Sequence, residues 1–300
     1  MTAGPEGLPQ TPPALSAEEA AAMAKRHGLP SLGGRPPFGD YVGSLWGQRS
    51  FIWTLSTAQT VARNSSDRLG MLWTVLNPLL LIGSYYLVFG LLVPTTKGTT
   101  NFIAFLAIGV VIFGYMASSI TRGSKSIVNN IGLVRALRFP RAVLPVAETL
   151  TQVVTVLPAI AVLMVVVIVT GEPVRWHWLL LPVALAMQTA ILGGMVLIAA
   201  RLVNISRDMT NLIPVAIRVL RYVSGVFFSI EAYAARFDPF VGDVLMIQPF
   251  ALPIALVRQC LLEEAPIQWI QWAAGLGWAV VLPAFGLWFF WRDEAKYGRA

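Results

Sequence analysis

Charge is what this sequence has least of. Asp, Glu, Lys and Arg make up 12% of its 300 residues and 56% are hydrophobic, against roughly 25% charged in an ordinary soluble domain. One aqueous core cannot hide that much apolar surface, so a bilayer is its natural solvent. The single cysteine, Cys260, excludes an intramolecular disulfide. The two histidines, His27 and His177, have no cysteine or acidic cluster beside them, which argues against a metal site. There is no Gly-Lys dipeptide, so a phosphate-cradling Walker loop is excluded. HExxH, GxSxG and a paired-aspartate cluster are also missing, which argues against a membrane protease, an esterase or a prenyl-type transferase. The net charge of +7 is spread between hydrophobic runs and forms no continuous patch, so nucleic acid is not an expected partner. The first forty residues are rich in Pro and Gly and lack the apolar run of a signal peptide; they are predicted to form a disordered tail.

What is present is hydrophobic length. A spanning helix needs about 20 mostly apolar residues, and such runs lie near 70–93, 102–120, 146–170, 178–200, 211–230 and 269–291. They predict six crossings. A seventh apolar stretch, 244–262, is interrupted by Pro249 and Pro253 and contains Arg258, which suits two short helices dipping into the membrane rather than a crossing. The expectation is an all-α integral membrane protein: a tail over 1–40, an amphipathic interface helix over 41–63 and a six-span domain over 64–300.

Positive charge orients it. Arg122, Lys125, Arg135, Arg138 and Arg141 follow the second run without an acid, whereas Lys97 alone follows the first. Both termini are therefore predicted in the cytoplasm, with the chain in the inner (plasma) membrane. Trp73, Trp176, Trp178, Trp269, Trp272, Trp288 and Trp291 lie near predicted span ends, the headgroup level that indole prefers. Trp46 and Trp53 instead join Val42, Leu45 and Ile52 in an apolar stripe before the first span, as in a helix lying along the inner leaflet or an ordinary soluble amphipathic helix.

The segment 125–148 is too long and apolar for a plain linker. Ile127, Ile131, Val134 and Leu137 recur at helical spacing, and Pro140 disfavours helix at Phe139, so a short amphipathic helix ending there is predicted. It is either a lever docking into a partner or a re-entry turn bearing positive-inside charge. In the fifth run Arg218 and Arg221 would cost about 3 kcal/mol each facing lipid at mid-bilayer. Two readings stand: a polar conduit, or heads snorkelling to the near interface. Tyr85, Tyr86, Phe89, Phe113, Tyr115, Phe227 and Phe228 either form a belt that grips rings by their faces or serve as packing, and Tyr222 lies nearly on the helix face of Arg218 and Arg221.

Asn129, Asn130, Leu133, Phe139, Pro140, Leu144 and Pro145 resemble the coupling-helix signature of permease subunits of type-2 ATP-binding-cassette exporters of lipid-linked polysaccharide: O-antigen, teichoic acid and galactan. Leu69-Gly70, Trp73, Pro78 and Val88-Phe89 resemble the family's first span; Asn204 and Arg207-Asp208 its loop after span four; Pro249-Phe250, Pro253 and Arg258 its outer-gate helices. The resemblance covers about 42–295. It departs at Ser65–Arg68, where a basic-aromatic pair is usual, and at Gln248-Pro249 in place of Asn-Pro. The Pro/Gly tail and Ala/Arg usage lean toward an actinobacterial galactan exporter.

The resemblance implies a homodimer paired with two copies of a separate ATPase subunit; ATP and Mg would sit on that partner and no cofactor in this chain. It implies coupling through Asn129, Asn130, Leu133, Arg135, Arg138, Phe139 and Pro140, with a smaller contact at Arg207 and Asp208. A path would be lined by Tyr85, Phe89, Arg218, Arg221, Tyr222, Phe227 and Phe228. A polyprenyl-pyrophosphate-linked glycan would meet Arg49, Arg63 or Arg68 at the membrane lipid surface, and Pro249, Phe250, Pro253 and Arg258 would form the outer gate. The same architecture moving a drug or small lipid, and a membrane-embedded enzyme modifying the lipid carrier, are the alternatives.

Overall fold

The structure is a computed structural model and describes residues 36–64, 70–92, 99–230 and 239–297, with 16, 19, 22, 23 and 26. Contacts divide the chain into two units, Met1–Pro36 and Pro37–Ala300. In the first, Ser16 and Glu19 form a capping box: the Glu19 N–H donates to Ser16 Oγ at 3.3 Å and the Ser16 N–H to Glu19 Oε2 at 3.0 Å. The rest of the predicted tail lies largely outside the described residues.

In the second unit every described element is helical. Four helices are long and apolar enough to cross a membrane: α4 (Phe102–Gly123), α7 (Val143–Val169), α8 (Leu181–Ile205, entered through a 3-10 turn, Trp176–Leu180) and α12 (Trp269–Trp291). The first predicted run is also helical: α3 (Gly70–Tyr86) passes into a π-helical turn, Leu87–Leu92. Before it lie α1 (Phe38–Gly47) and α2 (Arg49–Asn64), between α4 and α7 lie α5 (Ser126–Asn129) and α6 (Ile131–Ala136), and α9 (Met209–Val223) follows α8. Two short helices, α10 (Pro239–Ile247) and α11 (Leu252–Leu261), precede α12. Their break falls between Ile247 and Leu252, where Pro249 cannot donate a helical hydrogen bond.

Three sequence expectations change. The fifth run ends early: α9 has 15 residues, about 22 Å at 1.5 Å per residue, short of a ~30 Å hydrocarbon core. Ser224 caps it, and Gly225 turns away at φ +70°. The interface helix is two helices, broken at Gln48. Leu45 and Ile52 pack inward, whereas Val42, Trp46 and Trp53 remain exposed, so the predicted stripe serves two surfaces. Trp272 is no interfacial anchor: it is buried, with Nε1 donating to Gln259 Oε1 at 3.0 Å. Trp73, Trp176, Trp269 and Trp288 are exposed.

The core runs along α4, whose Leu106, Ile108, Ile112 and Met116 are fully enclosed among α7, α8 and α11. α8 and α12 touch backbone to backbone. A Cβ on Gly194 would strike Leu282 and Pro283, and one on Gly286 would strike Gly194, so glycine sets this crossing distance. The termini of the helices identify two ends of the bundle. At one, which is basic, Arg201 pairs with Asp293, Arg141 with Glu294 and Arg63 with Glu148. At the other, Asn101 Nδ2 donates to the Thr170 carbonyl and to Glu172, Glu172 accepts from the Glu263 N–H, and Arg175 pairs with Glu263. Cys260 is a buried free thiol in α11.

Candidate functional site

Helical spacing cannot bring two distant spans together, but packing does so for five of the seven predicted path residues. The π turn after Tyr86 carries Phe89 against Phe227, stacked at 4.5 Å between centroids. Tyr85 and Tyr222 flank Phe227 at 5.0 and 5.5 Å. Arg221 enters this wall: Nη1 donates to Tyr85 Oη at 2.6 Å, and the guanidinium lies 5.4 Å from the Phe113 ring centre. A cation held by a phenol and π faces is compensated for leaving water. Arg218 does not join. It is exposed and its Nε donates to the Pro214 carbonyl of its own helix at 3.4 Å. Phe228 lies at the edge of the main core, against its buried residues. The wall couples one cation to an aromatic surface, which suits a ligand with hydroxyls and an apolar ring face.

At the basic end, the predicted coupling helix is instead α5 and α6. Asn130 breaks it, its Nδ2 donating to the Ser126 carbonyl at 2.7 Å. Helix stops at Ala136, three residues ahead of Phe139, where Leu137 turns extended. Ile127 and Val134 are buried, holding the segment on the bundle, while Asn129, Arg135, Leu137 and Arg138 are exposed. Leu133 and Phe139 pack against the small core beneath, with Pro140 half-buried. Arg207 and Asp208 are exposed in the α8–α9 turn. The segment is therefore anchored on one side and presented on the other.

Of the predicted headgroup residues, Arg49 is exposed and Arg68 lies outside the described residues. Arg63 is engaged: Nη2 donates to both Glu148 oxygens, at 2.9 and 2.7 Å, and Gln152 Nε2 holds Oε1 at 2.8 Å. A cavity of ≈380 Å³ opens beside this pair, lined by Arg63, Arg122, Lys125, Ser126, Asn129 and Asn130. Sequence reasoning missed Glu148, although a carboxylate inside a predicted span is itself a signal of a polar partner.

A second tie at this end went unforeseen. Tyr41 Oη donates to Glu294 Oε2 at 2.8 Å, and the Arg141 N–H to Glu294 Oε1 at 2.9 Å, joining α1, the α7 entry and the segment after α12. Burial pushes the Glu294 carboxyl above the usual carboxylate range, against the pull of the Arg141 N–H, the Tyr41 hydroxyl and the Arg141 charge. No sequence signal linked residues 253 positions apart.

At the other end, Arg258 donates to backbone carbonyls. Nη1 donates to the Gly225 carbonyl at 2.8 Å, Nη2 to Phe105 and Val226 carbonyls at 3.2 Å, and the guanidinium lies over the Phe105 ring at 3.3 Å. It ties α11 to the chain leaving α9 and to α4. Pro249 and Phe250 sit half-buried in the break, and Pro253 enters the first turn of α11, where its missing N–H costs nothing. Beside it, Gln259, Gln271 and Gln268 form an amide chain, Gln259 Nε2 to Gln271 Oε1 and Gln271 Nε2 to Gln268 Oε1, both at 2.6 Å.

No family model matches the chain. It is 27% identical over 178 residues to the O-antigen export system permease protein RfbA of Klebsiella pneumoniae, covering 59% of this chain and 68% of that protein. The protein of the same name from Myxococcus xanthus is 26% identical over 172 residues, covering 57% of this chain and 65% of the relative. A further Klebsiella pneumoniae relative with that name is 26% identical over 177 residues, 59% of this chain and 68% of its own length. The matched stretch thus spans about two thirds of each relative.

Proposed function

We propose that this chain, a permease of the type-2 ATP-binding-cassette exporter family, moves a lipid-linked polysaccharide, galactan among the candidates, from the cytoplasm across the inner membrane. The likeness to three O-antigen export permeases carries the reading. The anchored and outward-facing α5–α6 segment supports it, because a chain without a Walker loop needs a surface through which an ATPase can act.

Two copies of the chain form the path and two ATPase subunits, holding ATP and Mg, dock at the basic end, which faces the cytoplasm together with both termini. ATPase closure presses on Asn129, Arg135 and Arg138, with Arg207 and Asp208 as the lesser contact, and shifts an equilibrium between states of the path. The Tyr85, Phe89, Arg221, Tyr222 and Phe227 wall meets the glycan, aromatic faces against sugar rings and the cation against hydroxyls. Arg258 enters this scheme as the tie that holds the outer helices to α9.

Depletion of the chain in its host tests the cargo. A polyprenyl-diphosphate-linked polymer accumulating inside is the expected result. No accumulation, with a drug or small lipid retained instead, refutes polysaccharide export, and turnover of a lipid carrier by the purified chain without nucleotide refutes transport altogether. Arg135→Glu with Arg138→Glu is expected to abolish co-purification of the ATPase; unchanged co-purification removes that docking surface.

A further inference from the structure

The turn after α9 serves two sides. Phe227 joins the aromatic wall, whereas Ser224, Ser229 and Ile230 border a cavity of ≈160 Å³, bounded also by α11, the start of α12 and Thr99 ahead of α4. An apolar cavity of about 150 Å³ takes one benzene ring, so this one has room for about one six-membered ring. Arg258 and Glu264 are its charged residues, +1 and −1, which cancel. Both are engaged: Arg258 by the Gly225, Val226 and Phe105 carbonyls, and Glu264 Oε2 by the Thr100 N–H and hydroxyl, each at 2.7 Å. Gln259 and Gln271, 5% and 4% exposed, each use one amide N–H within the glutamine chain. Each of these nitrogens carries a second N–H, and Gln271 Oε1 has a second lone pair. The Ser224 hydroxyl donates to the Leu220 carbonyl at 2.6 Å and keeps its oxygen as an acceptor. Thr99 Oγ1 is buried and forms no hydrogen bond among the described residues. Donors and acceptors therefore stand together around a space without net charge, and Phe105, Met246 and Leu262 supply an apolar wall.

We propose that this cavity binds one ring of a neutral sugar, with Thr99, Gln259 and Gln271 as specificity-determining residues. A sugar hydroxyl is donor and acceptor at once, as amides and a threonine hydroxyl require of a partner, and the C–H face of the ring meets the apolar wall. A carboxylate or phosphate would need an available cation, whereas Arg258 is already held by carbonyls. A wholly apolar ring would leave the Thr99 hydroxyl buried without a partner. Thr99, Ser224 and Gln259 come from distant parts of the chain, so an occupant that bridges them orders the 224–230 turn. That turn also carries Phe227, which links the cavity to the wall: binding at one changes affinity at the other by the same factor. A sugar belonging to an exported glycan rests on the export reading; the seat itself does not.

The full chain in phosphatidylcholine nanodiscs is titrated with the methyl pyranosides of glucose, galactose, mannose and rhamnose and with glucuronate as the charged counterpart, followed by saturation-transfer NMR. Saturable binding of at least one neutral glycoside is expected, with glucuronate weaker. Thr99→Val keeps the side chain's size and removes a hydroxyl that makes no hydrogen bond among the described residues. Its melting temperature should not fall, while affinity drops about fivefold or more; Thr99→Ser should retain affinity. A residue that only supports the fold would not separate these two readouts. Gln271→Leu weakens binding about tenfold, through its own lost contact and the broken amide chain. Amide exchange across 224–230 slows on binding in the unaltered chain and not in Thr99→Val at the same glycoside concentration. Binding with these dependences, in a chain whose depletion accumulates no polymer, supports the seat and refutes the export reading. No saturable binding by any of the four glycosides, glucuronate binding as tightly, or unchanged affinity in Thr99→Val each overturns the proposal.

Discussion

Replacing Arg63 and Glu148 singly and together tests how the basic end is held. Nη2 of Arg63 contacts both Glu148 oxygens, at 2.9 and 2.7 Å. The gross attraction is about 4 kcal/mol at an effective dielectric near 20. Most of that offsets desolvation, because the Glu148 side chain is 7% exposed. The Arg63 side chain is 30% exposed, so solvent screens its share and it loses less by standing alone. The two single variants should therefore differ. Arg63→Met strands a buried carboxylate that keeps Gln152 as its hydrogen-bond partner among the described residues, at about 2–3 kcal/mol, discounted from the 3–5 of a fully buried pair. Glu148→Leu leaves a cation that can turn to water, at about 1 kcal/mol. The double variant removes both charges and should lie within about 1 kcal/mol of the unaltered chain, a coupling of about 2 kcal/mol. Thermal unfolding in detergent reads this at about 2–4 °C per kcal/mol. Equal losses for the two single variants, or additivity in the double, would refute the argument.

Four further outcomes follow from the same geometry. Because burial raises the Glu294 pKa, the folded chain binds more protons than the unfolded one above the ordinary carboxylate range. Its contribution to stability is therefore greatest below the unfolded value near 4.5 and declines as pH rises through the raised one. Glu294→Gln should remove that decline, seen as a flatter melting temperature against pH; an unchanged slope contradicts it. Tyr85→Phe removes the oxygen that accepts from Arg221 at 2.6 Å, lowering stability by about 1.5 kcal/mol and, on the proposed function, slowing export; a full-rate variant would take Arg221 and Tyr85 out of the proposed path. Gly286→Val drives a Cβ into the Gly194 backbone, whereas Gly193→Ala meets nothing within 4 Å. Size-exclusion chromatography should show folded chain only for the second, since overpacking against backbone has no flexible side chain to absorb it. Arg258→Leu leaves the Gly225 and Val226 carbonyls without its guanidinium donor, at about 1–3 kcal/mol for each that water cannot reach, and takes a second donor from the Phe105 carbonyl inside α4; amide exchange around 224–228 should quicken.

Hydrophobic run length by itself determined that the chain is helical and membrane-dwelling, since each backbone group in lipid must be satisfied within its own segment. It located four full-length apolar helices and the helical first run within a few residues. The prolines at 249 and 253 likewise marked the two short helices, because a missing N–H acts locally, whereas the helix expected to end at Phe139 stops at Ala136. Only the tertiary structure decided partners. Arg63 with Glu148, 85 positions apart, and Arg221 with Tyr85, 136 apart, are matches between segments that each look self-sufficient. The end of α9 at Val223 belongs to the same class: the apolar run continues, but Gly225 turns and Arg258 binds the carbonyls beyond it. So does Trp272, apolar enough for an interface yet buried by a glutamine from another helix. Burial within a bilayer is a property one segment can encode, whereas compensation of a charge or a carbonyl requires atoms whose approach is set by how the helices pack.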